Sequence, residues 1–442
     1  MPASAATSDF KTTPFWQDTV PPRELPDVAL PKDADVVIVG SGYTGLSAAL
    51  TLARAGRRVH VMEADRYPGA GASTRNAGFV GSQLWSKFKP LAEKLGVEKA
   101  SAYTLEAINA HKYVIALIER EQISCHFLYN GRFIAAHSPE SYASLTKESE
   151  MLKKHFGIDC TMVPRERQRQ EIGTDFFFGG MVHPLTGSLH PGMYYAGLLD
   201  RVLAAGVAIH TNTKALSFDR QGNGSFTVGT SRGTLNAGRV ILATNGYTDH
   251  TFPWFKRRII TIHTNIAVTE PLDPALIREV LPSGRTMIDT RMNPVSIRPM
   301  PDGRRLQFTA ARGLFESDNS VKATEIRDAA GFAVPAVKDV RISHCWTGQM
   351  GFTFDKLPHI GERDGVLYAM GYCGTGLPMS TWLGHKLAQR ILGNKEAATG
   401  LDGRTFATRP FYTGNPWFLP LIIQWYAHKD RRDLKRTRKL AS

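Results

Sequence analysis

Three glycines at Gly40, Gly42 and Gly45, with Ser41, Tyr43 and Thr44 between them, have the spacing that closes a backbone turn around a pyrophosphate. Gly40 permits the tight turn, Gly42 lets phosphate oxygens approach the main chain, and Gly45 lets a helix pack closely on a strand. A helix starting at such a turn presents unpaired N–H groups and a partial positive charge to an anion. Glu63, followed by Ala64, lies roughly 20 residues further on, where a carboxylate accepts hydrogen bonds from a ribose diol and repels a 2′-phosphate. The residue types point to a dinucleotide without that phosphate.

The elements needed to hold this turn can be read on either side of it. Asp35-Val36-Val37-Ile38-Val39 is a continuous β-branched run, as in a parallel strand buried on both faces. Leu46, Ala49, Leu50 and Ala53 then recur at helical spacing up to Gly56, and Val59-His60-Val61-Met62 reads as a second strand. Other glycine clusters, Gly69 to Thr74 and Gly371 to Gly376, lack the preceding strand, the spacing, or both. A flavoprotein fed by a nicotinamide needs a second nucleotide site, so an organic molecule is the expected electron source.

At 442 residues the chain exceeds the ~250–300 at which one core stops growing, so two domains are expected. A 42% hydrophobic and 21% charged composition is that of a folded globular protein. The net charge of +14 attracts anions, and part of it sits in the basic run His428 to Lys439. No nucleic-acid-binding module accompanies that charge, so no nucleic-acid partner is expected. Cys125, Cys160, Cys345 and Cys373 stand far apart, which argues against a metal site or disulfide framework and favours a reducing compartment. Residues Met1 to Lys11 show no secretory pattern, and no apolar run reaches the ~18 residues of a spanning helix. A cytoplasmic protein is expected. The alternative is peripheral contact with the inner face of the membrane through residues 417–442, where the aromatic and aliphatic run Trp417 to Tyr426 precedes the basic one.

Further segments carry a resemblance. They are Phe15-Trp16-Gln17-Asp18-Thr19, the run Tyr67 to Phe79 containing Ser73-Thr74-Arg75-Asn76-Ala77-Gly78, and His183-Pro184-Leu185-Thr186-Gly187-Ser188-Leu189-His190-Pro191. Trp346-Thr347-Gly348, Thr353 to Gly361 and Gly371-Tyr372-Cys373-Gly374-Thr375-Gly376 follow. In this order, over roughly residues 15 to 395, the chain resembles the FAD-dependent D-amino-acid oxidase and glycine oxidase superfamily, particularly its γ-glutamylputrescine oxidase-like amine oxidases.

The resemblance implies an α/β fold in which a Rossmann-like FAD-binding domain is interleaved with an α+β substrate domain on a mostly antiparallel sheet. The corresponding partition is an N-terminal extension (1–30), FAD-binding segments (31–90, 181–250, 341–400), substrate segments (91–180, 251–340) and an apolar-then-basic C-terminal extension (401–442). It also implies that Ser73, Thr74, Asn76, Ala77 and Gly78 wrap the flavin. Arg75 then meets a phosphate, a substrate carboxylate or a surface ion partner. Val207 to Ala215 reads as one strand whose end contacts the adenine, with Ala215 where the family places valine. Gly374-Thr375-Gly376-Leu377 opens a helical run, Met379 to Ile391, aimed at the flavin N1–C2 edge.

Asn76 stands where some relatives carry a flavin-linking histidine. Cys345 lies near another attachment position but reads as a buried core residue, so FAD is expected to be non-covalent. In the substrate domain, Leu105, Ile108, His111, Tyr113, Ile115 and Ile118 form an amphipathic pattern. Arg257 to Pro271 reads as a long strand and Val295 to Phe308 as a hairpin. His263, Arg298, Trp346 and Tyr372 are the candidates for lining a substrate pocket, each with an alternative on a solvent face, in a surface ion pair or in the core. The implied reaction is hydride transfer from the C–N carbon of a small amine or amino acid to flavin N5, imine hydrolysis, and reoxidation by O2 to H2O2. Two further readings stay open: a membrane-surface dehydrogenase passing electrons to quinone or another acceptor, and a non-catalytic flavoprotein subunit. The particular amine and the oligomeric state are left open as well.

Overall fold

The structure is a computed structural model that describes residues 5–310 and 318–441. Residues 1–4 of the N-terminal extension, 311–317 of the second substrate segment and residue 442 lie outside the described residues, as do the side chains of residues 435 and 437–441.

Asp33–Val39 is a central strand of an eight-stranded sheet, with Val59–Met62 parallel on one side and Gly233–Leu242 parallel on the other. Val37 and Ile38 are buried completely, as a β-branched run covered on both faces should be. The chain leaves this strand through Gly40, at φ +100°, and enters the helix Tyr43–Arg54. A Cβ at Gly45 would lie 1.9 Å from the Gly40 carbonyl oxygen, so only glycine allows this helix to sit so close to the strand. The helix Gly376–Ile391 returns from the far end of the sequence and crosses the first helix at Gly384, where a Cβ would come within 2.3 Å of the Thr44 oxygen.

The second sheet has nine strands and is mostly antiparallel. Its order is Ala6–Lys11, Ile342–Phe352, Ile260–Thr269, Leu306–Ala310, Val295–Pro299, Thr286–Asp289, Arg132–Ala135, Gly180–His183 and Thr161–Val163. Only the first pair and the contact of Thr286–Asp289 with Arg132–Ala135 are parallel. One face packs Ala267, Ile297, Phe308 and Cys345 against Ala323, Ile326 and Ala330 of the helix Asn319–Ala333. The other face is turned toward the first sheet. Register aligns Trp346, Ile266, Thr309, Ser296, Ile288, Ile134 and Met181 along it, one residue per strand.

Several expectations change. Val207 to Ala215 is not one strand: Ala208–His210 belongs to the first sheet's parallel edge and Ala215–Arg220 pairs antiparallel with Phe226–Thr230. Between them Asn212 adopts φ +51°, and the N–H groups of Asn212 and Thr213 turn to bond the carbonyls of Asp65 and Glu63. The strands Ala6–Lys11, Gly180–His183 and Ile342–Phe352 all lie in the nine-stranded sheet, although the sequence partition put them in the N-terminal extension or in FAD-binding segments. Leu105 is exposed on the helix Val97–Arg120, whose buried stripe runs through Thr104, Ala107, Ile108, His111, Val114 and Ile118.

Pro420 does not interrupt the C-terminal apolar run, because it stands in the first turn of the helix Leu419–Ala441, where a proline's missing N–H is harmless. That helix is docked by Asp430, whose buried carboxylate accepts the N–H groups of Met292 (2.8 Å) and Asn293 (3.0 Å). Among the described residues no helix is long and apolar enough to cross a membrane.

Candidate functional site

The turn after Asp33–Val39 forms the floor of the site. Glu63, at the end of the neighbouring strand, accepts the Ser41 backbone N–H at 3.1 Å and the Ser41 hydroxyl, and its second oxygen accepts the Asp65 N–H at 3.0 Å. Ser41 Oγ in turn accepts the Gly69 N–H at 2.8 Å, and Tyr195 donates its hydroxyl to the Ser41 carbonyl at 2.8 Å. Gly40, Gly42 and Glu63 stay partly exposed while Tyr43, Thr44 and Gly45 sink into the core; Ala64 is exposed. This places a carboxylate and a helix N-terminus side by side, reachable by a ligand, at the carboxyl edge of a parallel sheet.

The segment 72–78 forms the near wall. Ser73 Oγ accepts the Tyr43 N–H at 2.9 Å, which ties this segment to the helix start, and Thr74 donates its hydroxyl to the Gly69 carbonyl. The Asn76 amide donates to the Ser73 and Ala72 carbonyls and to the Tyr43 hydroxyl, while its Oδ1 accepts the Gly78 N–H. Arg75 forms no ion pair among the described residues: Nε donates to the Ala70 carbonyl and Nη1 to that of Thr347. The outward carbonyls are gripped from the nine-stranded sheet and the N-terminal segment. Trp16 Nε1 donates to Asn76 O and Trp346 Nε1 to Arg75 O, both at 3.0 Å, and Arg298 Nη1 donates to Ala77 O at 2.6 Å.

The third component is the turn before the helix Gly376–Ile391. Cys373 at φ +51° and Gly374 at φ +88° reverse the chain, and Thr375 stands at the helix start with its hydroxyl donating back to the Tyr372 carbonyl at 2.8 Å, which leaves the first helical N–H groups without a side-chain cap. Gly374 faces open space bordered by the Trp85 ring at 3.5 Å and Met350 Sδ at 4.0 Å from where a Cβ would be. Gly376 is likewise open and Leu377 is buried. The strand Ile342–Phe352 draws the parts together: Gly348 abuts Arg75, and Met350, two residues on along the same face, abuts Gly374.

The four pocket candidates are not gathered in one place. His263 is exposed and pairs with Gln349, so it lies on the opposite sheet face from Trp346 and Met350. Arg298 is neither on the surface nor ion-paired; it is 1% exposed, bonded to the carbonyls of Ala77 and Leu189, and burial pushes its guanidinium down to about 9. Trp346 packs with Trp16, Ile266, Val268 and Met300 while holding Arg75. Tyr372 belongs to the helical core, its hydroxyl bonded to Thr44 Oγ1 and the Ala369 carbonyl, and burial raises its pKa. Ala215 is buried at the start of its strand, beyond the Asn212–Thr213 turn.

Cys345 lies on the face away from Trp346, within the apolar cluster under the helix Asn319–Ala333, where burial pushes its thiol up to about 12. Among the described residues no cluster of His, Cys, Asp and Glu could hold a metal.

Residues that sequence reasoning did not nominate also border the site. The turn Asn245–Tyr247 follows the strand Gly233–Leu242; Asn245 Oδ1 accepts the Gly371 N–H at 2.8 Å, and the Tyr247 ring lies 3.1 Å from where Gly71 would carry a Cβ. Trp85 packs edge-on to Phe352. The sequence signal was available in Thr244-Asn245-Gly246-Tyr247, a turn tetrad directly after an apolar run.

The residues present suit a flavin dinucleotide. Glu63 offers an acceptor for a ribose diol, the first turn of Tyr43–Arg54 offers N–H groups for phosphates, and the open Gly374–Gly376 turn supplies a second helix N-terminus about where 72–78 ends. Comparison with known proteins agrees. Residues 35–390 match the family described as FAD dependent oxidoreductase (DAO). The chain is 31% identical to the probable oxidoreductase OrdL of Rhizobium meliloti over 94% of this chain and 97% of that protein. It is 27% identical to the gamma-glutamylputrescine oxidoreductase of Escherichia coli, over 90% and 92%. The crystal structure of glycine oxidase from Geobacillus kaustophilus superimposes with a TM-score of 0.68 at 21% identity, over 86% of this chain and 99% of that one.

Proposed function

The chain belongs to the DAO family of FAD-dependent oxidoreductases, and from that premise we propose that it oxidises the carbon–nitrogen bond of a small amine or amino acid. FAD, when bound, supplies the two-electron acceptor that takes hydrogen from the carbon next to nitrogen as hydride. The imine product is hydrolysed by water to a carbonyl compound and an amine or ammonia, and O2 is the final electron acceptor, giving H2O2.

The chain's own residues bind and orient. Glu63 and the Gly40–Gly45 turn would hold the adenosine and pyrophosphate half. Ser73, Asn76 and Gly78 shape the backbone that would lie against the ring system, and the Gly374–Gly376 helix start would offer positive potential to the negative charge of a reduced flavin. Trp85, Met350 and Tyr247 border the open side and restrict water there.

The observation that carries this reading is the convergence of segments 72–78 and 371–376 on one strand, Ile342–Phe352, above the nucleotide turn. FAD is non-covalent in this account, because Asn76 replaces a linking histidine and Cys345 is sealed on the wrong sheet face. The four cysteines are free and buried, as suits a cytoplasmic protein. A panel of primary and secondary amines and amino acids, scored for peroxide release in air, tests the proposal; no release from any member, with FAD bound, contradicts it.

A second reading rests on the C-terminal helix. On the helix Leu421 and Trp425 are 66% and 58% exposed at a four-residue spacing, Trp417 just ahead of it is 64% exposed, and Arg431, Arg432 and Arg436 are exposed further along. Such a stripe suits the surface of an anionic bilayer, from which electrons could pass to quinone. Sedimentation with anionic vesicles, compared before and after removal of residues 416–442, separates this reading from the first.

A further inference from the structure

We propose that the C-terminal helix Leu419–Ala441 walls the outer side of the substrate site, and that Ile423 and Tyr426 on its inner face select amines carrying an apolar or aromatic group beyond the reacting carbon. This rests on the amine-oxidising reading and narrows its substrate class. The helix is pinned at two points. At its start Leu419 is buried with Ile260, Phe352 and Cys373, and Ile262 and Met350 pack against that cluster. Register sets Ile260 opposite Phe352 and Ile262 opposite Met350, on the sheet face that carries Trp346. Met350 also borders the open space at Gly374, so the helix begins at the rim of the site.

Eleven residues further on, Asp430 holds the N–H groups of Met292 and Asn293, just ahead of the strand Val295–Pro299. The pairings of Ile260 with Phe352, and of Ala310 with both Asn265 and Val295, put the starts of Ile260–Thr269 and Val295–Pro299 at one end of the nine-stranded sheet. Those two strands are separated by one other, Leu306–Ala310. Two to three strand spacings are about 10–15 Å, and eleven helical residues rise about 16 Å. The helix therefore runs across the strand ends, from the rim at Met350 to the loop at Asn293.

At 3.6 residues per turn, Ile423 and Tyr426 fall within about 40° of the line joining Leu419 to Asp430. Leu419 and Asp430 are buried, whereas Ile423 and Tyr426 between them are only half-buried. A helix lying flat on its support has a continuous buried stripe. Here the stripe loosens between two buried ends, which marks a gap beneath the middle of the helix. Leu421 and Trp425 are exposed on the outer face and take no part. Across the rim stand Trp85 and Tyr247, large rings that are 45% and 41% exposed. With Ile423 and Tyr426 on the other side, the approach to Gly374 is lined by apolar and aromatic groups. A ring or alkyl chain beyond the amine carbon gains burial there, while a charged distal group would give up its hydration to apolar walls.

The test uses two amines with no hydrogen on the carbon beside nitrogen, which can bind but cannot be oxidised: tert-butylamine, and cumylamine, which carries a phenyl group in place of one methyl. Binding to the FAD-loaded protein is read from the shift of the flavin absorption band. Cumylamine should bind at least about 10-fold more tightly than tert-butylamine. Tyr426→Ala and Ile423→Ala should each cut that advantage to about 3-fold or less and leave tert-butylamine binding unchanged. Tyr426→Phe, which keeps the ring, and Leu421→Ala, on the outer face, should keep the wild-type ratio. The proposal is overturned if the two amines bind alike, if neither binds, if both inner-face alanine variants keep the wild-type ratio, or if Leu421→Ala lowers it as much as they do. The parent reading is read separately with benzylamine and other oxidisable amines: a flavin that none of them reduces ends it, whatever the binding ratio.

Discussion

Arg298→Met is the sharpest perturbation of the site wall. In the folded protein Arg298 Nη1 donates to Ala77 O at 2.6 Å and to Leu189 O at 3.2 Å, and the side chain is 1% exposed. Methionine fills most of the volume but donates nothing, so two carbonyls lose a charged partner, at about 1–3 kcal/mol each. A total of roughly 2–6 kcal/mol follows, and part of it falls on the 76–78 turn, which would lie against the cofactor. If about 2 kcal/mol is expressed there, FAD binds roughly 30-fold more weakly.

Titrating apoprotein with FAD, followed by quenching of flavin fluorescence, reads the affinity, and a thermal melt reads the remainder. Trp16→Phe, which removes only the single bond to Asn76 O, should give a smaller effect in the same direction. Unchanged FAD affinity and melting temperature in Arg298→Met, with a selective loss of turnover for carboxylate-bearing amines, would instead assign Arg298 to the substrate.

Three further outcomes are expected. Gly45→Ala puts a methyl 1.9 Å from the Gly40 carbonyl, so it should lower FAD affinity by about 100-fold or more; ordinary flavin content on purification would contradict this. His111 and His183 are held neutral mainly by burial, at about 4 and about 3 against an ordinary 6.5. The unfolded chain therefore binds these protons first: their contribution is intact above pH 6.5 and falls as pH drops toward 4. At pH 5 this amounts to at most about 2 kcal/mol for each histidine, so the urea midpoint should be lower at pH 5 than at pH 7, and an equal or higher midpoint argues against neutral burial. Asp430→Ala orphans the N–H groups of Met292 and Asn293; limited proteolysis should then remove the C-terminal helix faster while the flavin-binding body stays intact, and unchanged cleavage would show that the helix is docked by other contacts.

The nucleotide turn was legible because everything it needs is local. Strand, three glycines, helix and Glu63 lie within 31 residues, Asp33 to Glu63, and each leaves its own mark on composition or spacing. The orientation of residues on the nine-stranded sheet was not legible in the same way. Whether His263 faces the site depends on its pairing with Gln349, far along the chain, and a shift of one residue would have turned it inward. Arg298 read as a surface or substrate residue because its partner, Ala77, is 221 positions away.

Tyr372 stands inside a motif that borders the site, yet its hydroxyl turns toward Thr44, because the positive φ at Cys373 and Gly374 carries the backbone, not the ring, past the site. Ile423 and Tyr426 read only as part of an apolar run: which of its residues turn inward depends on the distant anchor that Asp430 makes with Met292 and Asn293.

Amine oxidation here requires that bound FAD take hydride from the carbon beside the amine nitrogen. The direct measurement is the flavin absorption band of the purified holoprotein, mixed without oxygen with primary amines, secondary amines and amino acids in turn. At least one member should bleach the band and yield the matching carbonyl compound. A band that persists with every member, yet disappears on chemical reduction with dithionite, would contradict it and leave a flavoprotein that does not oxidise amines.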